Sequence, residues 1–460
     1  MINLNLNSGN KHIHFVGVGG ISMSGLAEIM MTRGYTVSGS DMKSSALTSR
    51  LTSIGMEIFV SHSAQNITAD IDLIVYTAAI PMDNPELTRA HELNIPCVSR
   101  AAFLGQMMAT YHYPICISGT HGKTTTTSML SEAFIGSGLN PTITVGGILN
   151  SIGGNIHLGG EEYFITEACE YCDSFLNFLP RIAAILNLEE DHMDYFKDLN
   201  QIRASFKTFA ELLPPEGFLT INGHIENLAP LIQDTRCTVE TFGFDTSFDW
   251  YADQINYNDR ACANFNVYYK GNCLGNLQLH VPGEHNVLNA LSVCAICHFV
   301  HIPLDAINLG LSLFTGANQR FEIKGRLHDI TIVDDYAHHP TEIAATLDVA
   351  KVFPHKRLFV VFQPHTYTRT KAFLKDFATV LSRVDDLIIT DIYAAREKDP
   401  GDVHAKDIIS LIESHGKKAL YIDDFGEIAD YLLENCTPGD LIITMGAGNV
   451  NQIADILLGL

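Results

Sequence analysis

The sequence predicts an α/β protein of three domains: an N-terminal Rossmann-like parallel sheet, a central P-loop ATPase-type α/β domain and a C-terminal Rossmann-like α/β domain. Three observations carry that prediction. Short apolar runs alternate with helical periods near the N-terminus and again in the C-terminal third, which is the pattern of βαβ units. A strand running into a glycine turn and a helix, "YPICISGTHGKTTTTSML" at residues 113–130, restarts the pattern in the middle. The chain has 460 residues, and single cores stop growing at ~250 to 300 residues.

The first domain is expected over residues 1–108, from "HIHFVGVGG", the helix "SMSGLAEIMMTRG", "YTVSGSD", a second helix and "DLIVYTAAI". Residues 109–316 form the central domain, with "YFITEACE", "IAAILNLEEDHMD" and "GFLTING" continuing the alternation. An insert of β character follows, from "TFGFDTSFDWYA" through "FNVYYKGNCLGNLQLHVPG", and then the helix "HNVLNALSVCAICHFV". The segment "FTGANQRFEIKGRLHDITIVDDYAHHPTEI" is expected as a boundary with Gly316 and Asn318 in the linker. Residues 317–460 then carry the strands "RLFVVFQPH", "DLIITDIY", "ALYIDD" and "DLIITMGAG".

Composition narrows the function classes. With 46% hydrophobic and 18% charged residues the chain reads as a soluble globular protein. Its 52 acidic against 29 basic side chains, a formal charge of −23, would repel a phosphate polymer or an anionic lipid surface. Nucleic acid is therefore not an expected partner, while a small anion held by a glycine loop remains compatible. The start "MINLNLNSGNKHIHFVG" lacks the basic and apolar regions of a signal peptide, and no apolar run reaches 18 residues, so the expected location is the cytoplasm without membrane insertion. Ten cysteines include two C-x-x-C pairs, Cys169/Cys172 and Cys294/Cys297. Four thiolates could bind zinc, but the apolar or strand-like settings favour buried reduced thiols.

The chemistry concentrates in a few stretches. "GTHGKT" is two residues shorter than G-x-x-x-x-G-K-[ST], yet its strand-loop-helix context is that of a phosphate loop. Gly119, Thr120, Gly122 and Thr125 would present backbone N–H groups to an anion, Lys123 would reach the β/γ-phosphates, and the Thr124 hydroxyl would bind Mg²⁺, with ATP as the ligand. A glycine-rich βα turn with a coincidental lysine is the bland alternative. In "GVGGIS", Gly17, Gly19 and Gly20 follow a strand, but Ser22 stands at the sixth position of G-x-G-x-x-G. Asp41 sits where a ribose-reading carboxylate would lie; a solvated loop acid is the alternative. Asn286 and Asn289, at i and i+3, share a helix face near its start, where nucleotide contact and helix capping are both open. His338 and His339 are adjacent, so their side chains point apart and make a poor metal pair.

"GTHGKT", "EACE", "DHMD", "GEHNVLNAL", "QRFE", "DDYAHHPTE" and "FQPHTYTRT" occur in this order across nearly the whole chain, and in this the sequence resembles the Mur ligase family, which includes folylpolyglutamate synthase. The resemblance implies a three-domain plan in which ATP phosphorylates a carboxylate and an amine captures the acyl phosphate. "HFVGVGGISMSGLAEIM", "YTAAIP", "VDDYAHHPTE" and "TDIYAAREKDPG" are similar to the branch that joins L-alanine to UDP-N-acetylmuramate in peptidoglycan precursor synthesis. A related branch attaches an intact peptide to the same sugar; it shares the N-terminal motif, and "DIYAAREKDPG" favours the alanine branch.

Residue by residue, the resemblance implies that Gly17, Gly19, Gly20, Ser22 and Asp41 hold the UDP-sugar. Glu167, with Glu170 as a weaker candidate, would bind Mg²⁺, and His192 a second Mg²⁺. Asn286, Asn289 and Asp335 would contact the nucleotide, and Arg320 the phosphates from across a domain seam, so that closure assembles the site. His338, His365 and Arg369 match substrate positions, although many relatives have Arg where Thr366 stands, which leaves the amino-acid pocket open. Some branches carry a carbamylated lysine where Phe206 stands, with Lys207 one position off, so that modification is not expected. A monomer or weak homodimer is the expected assembly. Two rivals remain: a dehydrogenase using the N-terminal domain, and an ATP-gated regulator without ligase activity.

Overall fold

Strands that are apolar along their whole length, rather than at alternate positions, are covered on both faces, as parallel sheets between helices require. "IAAI" at Ile182–Ile185, "FLTIN" at Phe218–Asn222 and "LIITM" at Leu441–Met445 are buried at every position. The structure, a computed structural model, describes residues 11–77 and 79–460. The expectations resting on the start "MINLNLNSGN" and on Ala78 of "YTAAIP" lie outside the described residues.

Three sheets follow one another along the chain. The first comprises β1 (His12–Val16), β2 (Thr36–Asp41), β3 (Glu57–Val60), β4 (Leu73–Tyr76) and β5 (Cys97–Ser99), all parallel, in the order β3-β2-β1-β4-β5. The second holds ten strands: β6 (Tyr113–Ser118), β7 (Thr142–Leu149), β8 (Gly154–His157), β9 (Tyr163–Ala168), β10 (Ile182–Ile185), β11 (Phe218–Asn222), β12 (Thr238–Gly243), β13 (Trp250–Tyr257), β14 (Cys262–Tyr269) and β15 (Asn272–Pro282). Their order is β15-β14-β13-β12-β11-β10-β6-β9-β7-β8, which puts the phosphate-loop strand β6 in the interior of the sheet. The third comprises β16 (Glu322–Leu327), β17 (Ile330–Asp335), β18 (Leu358–Phe362), β19 (Asp386–Ile389), β20 (Leu420–Tyr421) and β21 (Leu441–Met445), in the order β16-β17-β21-β18-β19-β20, parallel except at the β16–β17 hairpin.

Two parts of the chain differ from the sequence reading. The β insert is an antiparallel extension of the central sheet, because β13 continues it in parallel with β12 and then folds back into β14 and β15. The segment read as a boundary contains the hairpin β16–β17, and β17 is buried throughout. Its two terminal acids hid an apolar run that fits a covered strand.

The first domain rests on the central one where the Ile156 side chain packs into the space over Gly25. A Cβ on Gly25 would lie 1.2 Å from Ile156 Cδ1, so a larger residue there would require the Ile156 side chain of the β7–β8 hairpin to move off the helix Ile21–Thr32. Asn155 Nδ2 donates to the Ile21 carbonyl at 3.1 Å and pins the start of that helix.

Candidate active site

β6 ends at Ser118, and the helix Lys123–Gly136 starts without a side-chain cap. Gly119 (φ +141°) and Gly122 (φ +82°) turn the chain between them in conformations that other residues adopt only with strain. A Cβ on Gly122 would also approach Asn289 Oδ1 at 3.0 Å. Lys123 Nζ donates to the carbonyls of Gly119 (2.5 Å) and Thr120 (3.1 Å) and pairs with Glu170 (2.9 Å), a buried carboxylate. Burial works against the charged ammonium, yet Glu170 outweighs it and keeps Lys123 protonated. His192 Nε2 lies 3.7 Å from Glu170 Oε1, with its ring against Tyr171 at 4.7 Å between centroids.

Glu167 reaches the same loop from β9. Its Oε1 accepts the Gly146 N–H at 2.6 Å, and a Cβ on Gly147 would sit 3.2 Å from Thr124 Cγ2. Two small residues on β7 thus let Thr124 and Glu167 face one space. Thr124, Glu167, Glu170 and His192 make a donor set rich in hard oxygen, which suits Mg²⁺ beside phosphates.

The third domain closes over this loop through charged contacts. Arg369 makes two bonds to Asp191 Oδ1, from Nε (3.1 Å) and Nη2 (2.6 Å), and a third to His365 Nδ1 at 3.1 Å. Burial opposes the Asp191 charge, but Arg369 holds that carboxyl well below its usual range. His121, inside the phosphate loop, bridges Glu342 Oε1 (3.1 Å) and Glu189 Oε2 (3.4 Å). Burial disfavours its charge too, yet the two glutamates raise it to about 9. His339 donates from Nε2 to the Glu190 carbonyl, and Thr341 Oγ1 to Glu189 Oε2 at 2.7 Å.

Between the two domains lies a cavity of about 290 Å³. It is lined by Gly122, Thr125, Asn286 and Asn289 from the central domain and by Arg320 and Asp335 from the third, with apolar walls from Leu288, Val281 and Phe321. Asn289 Nδ2 donates to Asn286 Oδ1, and Asn286 Nδ2 to the Pro282 carbonyl, so neither amide caps the helix N-terminus. Asp335 accepts the N–H groups of Phe321 and Ala337, each at 2.8 Å. Burial raises its carboxyl to about 6 despite these donors.

In the first domain Gly17 has φ +83°, and Gly19 N donates to Asp41 Oδ2 at 2.8 Å. Asp41 is therefore tied to the glycine loop. Arg100 Nη1 donates to Ser22 Oγ at 2.9 Å, bringing a cation to the start of the helix Ile21–Thr32.

Comparison with known proteins follows the same division of the chain. Residues 12–112 match the family model "Mur ligase family, catalytic domain", residues 117–297 "Mur ligase middle domain", and residues 319–448 "Mur ligase, glutamate ligase domain". The chain belongs to the Mur ligase family. It is 51% identical to a UDP-N-acetylmuramate–L-alanine ligase of Agathobacter rectalis, over 97% of each chain. Its fold resembles that of the UDP-N-acetylmuramate-alanine ligase of Thermotoga maritima, with a TM-score of 0.81 and 29% identity over 97% and 98% of the two chains. The murein peptide ligase of Psychrobacter arcticus is more distant, at TM-score 0.71 and 25% identity over 98% of each chain.

This Mur ligase brings Lys123, Thr124, Glu167 and His192 around one loop and gathers Gly122, Thr125, Asn286, Asn289, Arg320 and Asp335 around one cavity. Gly119 and Thr120 turn the loop, with Thr120 Oγ1 accepting the Glu189 N–H. His338, His365 and Arg369 stand together, the two rings 5.6 Å apart. Gly17, Gly19 and Gly20 turn into the helix that carries Ser22, and Asp41 at the end of β2 is tied to that turn, all in the first domain. Gly316, expected in a linker, lines the cavity. Sequence reasoning missed His121, Glu189, Asp191 and Glu342, whose partners are remote in the chain, and it ranked Glu170 below Glu167. Lys207 pairs with Asp234 and Glu211 at the surface, and Phe206 is in the core. Cys294 and Cys297 are buried among apolar side chains, where burial pushes the Cys294 thiol up to about 12; the other pair departs from the expectation, with Cys169 half-buried and Cys172 exposed in a positive-φ turn.

Proposed function

We propose that this ligase uses ATP to phosphorylate the lactyl carboxylate of UDP-N-acetylmuramate and that the amine of L-alanine displaces the phosphate, giving the amide, ADP and phosphate for peptidoglycan precursor synthesis. One observation carries the reading. A continuous run of contacts leads from Lys123 through Glu170 and His192 to a second, small cavity of about 70 Å³ lined by Asp191, His192, His365 and Arg369. That volume has room for about five water-sized groups, enough for the backbone and methyl group of alanine. The curated relatives at about half identity carry the matching name.

The adenosine of ATP fits the larger cavity, with Asp335 facing the ribose and Asn289 and Gly122 the phosphate side. Lys123 and Arg320 neutralise the terminal phosphate as the carboxylate oxygen attacks phosphorus and ADP departs. The amine nitrogen then attacks the acyl carbon, and phosphate leaves with that oxygen while the amine loses a proton. Positioning and charge neutralisation suffice for both steps, so no protein nucleophile is needed. Thr124, Glu167, Glu170 and His192 would hold Mg²⁺, which screens phosphate charge when bound. The glycine loop of the first domain, with Asp41 and Arg100, takes the diphosphate and ribose of the UDP-sugar.

No helix among the described residues is long and apolar enough to cross a membrane. We place the enzyme in the cytoplasm with its nucleotide substrates, as a monomer or weak homodimer. The test is phosphate release by the purified protein with ATP, Mg²⁺ and UDP-N-acetylmuramate, assayed against each of the twenty amino acids and the muramyl peptide. Release with L-alanine is expected; release with the peptide alone, or with none, would overturn the reading.

A further inference from the structure

The small cavity contains a cation that the mechanism above does not use. Arg396, from the loop after β19, crosses the domain seam and lays its guanidinium over the Tyr171 ring, 4.7 Å from the centroid. Among the described residues no carboxylate or other hydrogen-bonding group engages that guanidinium. This is unusual in a chain with a formal charge of −23. The second arginine of the cavity, Arg369, is by contrast already neutralised by Asp191.

The surrounding backbone is built to hold Arg396 there. Ala395 has φ +51° and Thr366 φ +62°, both costly for residues with a Cβ. The two loops are tied together, since Thr366 N donates to the Tyr393 carbonyl at 2.9 Å and His365 bridges to Tyr393 in parallel register. Strain held by neighbouring contacts clusters where a side chain must be aimed. Tyr171, under the guanidinium, also packs on His192, so Arg396 stands one ring away from the Lys123–Glu170–His192 cluster.

We propose that Arg396 binds the α-carboxylate of the amino-acid substrate and thereby orients its amine toward the acyl carbon. A planar fork of donors with no anion of its own is matched to a carboxylate. Arg396 and His192 both line the cavity, so a carboxylate held at Arg396 leaves the amine within the same space as the Lys123–Glu170–His192 cluster. The inference rests on the ligase reading and adds a residue that selects free amino acids by their acid group.

Steady-state kinetics on the wild type, R396Q and R396K test it, with L-alanine and L-alaninamide as acceptors. R396Q is expected to raise the L-alanine KM by about 10- to 100-fold, with the KM values of ATP and UDP-N-acetylmuramate within about twofold; R396K falls between. Wild type should prefer L-alanine over L-alaninamide, and R396Q should lose that preference, which a merely structural role for Arg396 would not produce. An unchanged L-alanine KM in R396Q, or a preference kept intact, overturns the assignment. If the wild type shows no alanine-dependent phosphate release, the ligase reading itself fails; an active wild type with an unaffected R396Q defeats only the role of Arg396.

Discussion

The molecule contains two glycine turns at strand-to-helix junctions, residues 17–22 and 119–124, and they differ in what surrounds them. Both follow a buried parallel strand, both use positive-φ glycine, and both open helices that lack a side-chain cap. Each therefore offers uncapped N–H groups to an anion. Both turns commit N–H groups to their own domain, Gly17 and Val18 donating to the Ser40 carbonyl and Gly19 to Asp41 in the first, Thr120 to the Asn187 carbonyl and His121 to Asn187 Oδ1 in the second. The cation of the first turn, Arg100, acts through Ser22. The second turn has Lys123 in the helix itself, carboxylates on the neighbouring strand end, and a lid of charged residues from the third domain. On the proposed reading, backbone geometry would supply a place for phosphate in both turns. Side chains of neighbouring elements decide which of them can do chemistry.

Breaking the second turn should have the largest effect. Lys123→Ala should lower kcat for alanine-dependent ADP release by about 100- to 1,000-fold, while UDP-N-acetylmuramate still binds in calorimetry. Next in size is the lid. Arg369→Ala leaves Asp191 buried without its partner, which costs about 3 to 5 kcal/mol, to be read as a fall in melting temperature. Adding Asp191→Ala should recover part of that loss in a double-mutant cycle. A smaller and opposite effect belongs to the first turn: Asp41→Asn should raise the UDP-N-acetylmuramate KM about tenfold and leave the ATP KM unchanged. If both KM values moved together, the two turns would not be separate sites.

The pH dependence sharpens the comparison further, because only the second turn carries a histidine bridged to two carboxylates. His121 titrates at about 9 in the folded protein against 6.5 unfolded. Its bridge therefore contributes stability that is fully present below 6.5 and is lost as pH rises through about 9. Thermal melts should show that loss in the wild type, and His121→Gln should remove it. The smallest effect is expected at Lys207, whose Ala variant should keep turnover within about twofold, since exposed pairs contribute little.

Much of the fold and of the two turns was legible in the chain, because local rules govern them. Strand-glycine-helix succession is read within some twenty residues, and Gly119, Gly122 and Lys123 fall where that succession puts them. β17 was not legible, since the acids of "ITIVDD" mask a run that tertiary cover makes a strand. The lid contacts were invisible for a different reason. Asp191 meets Arg369 and His121 meets Glu342 only after two domains pack, and no spacing in the sequence encodes that approach. The resemblance to the family pointed to Glu167 and His192, but only geometry shows that Glu170 is the carboxylate in contact with Lys123.

The central claim is that phosphate passes from ATP to the sugar-linked carboxylate before the amide forms. Its most direct test uses UDP-N-acetylmuramate labelled with ¹⁸O in the lactyl carboxylate, ATP and L-alanine, followed by mass analysis of the phosphate released. The account predicts one labelled oxygen in each phosphate; phosphate free of label alongside amide product would contradict it.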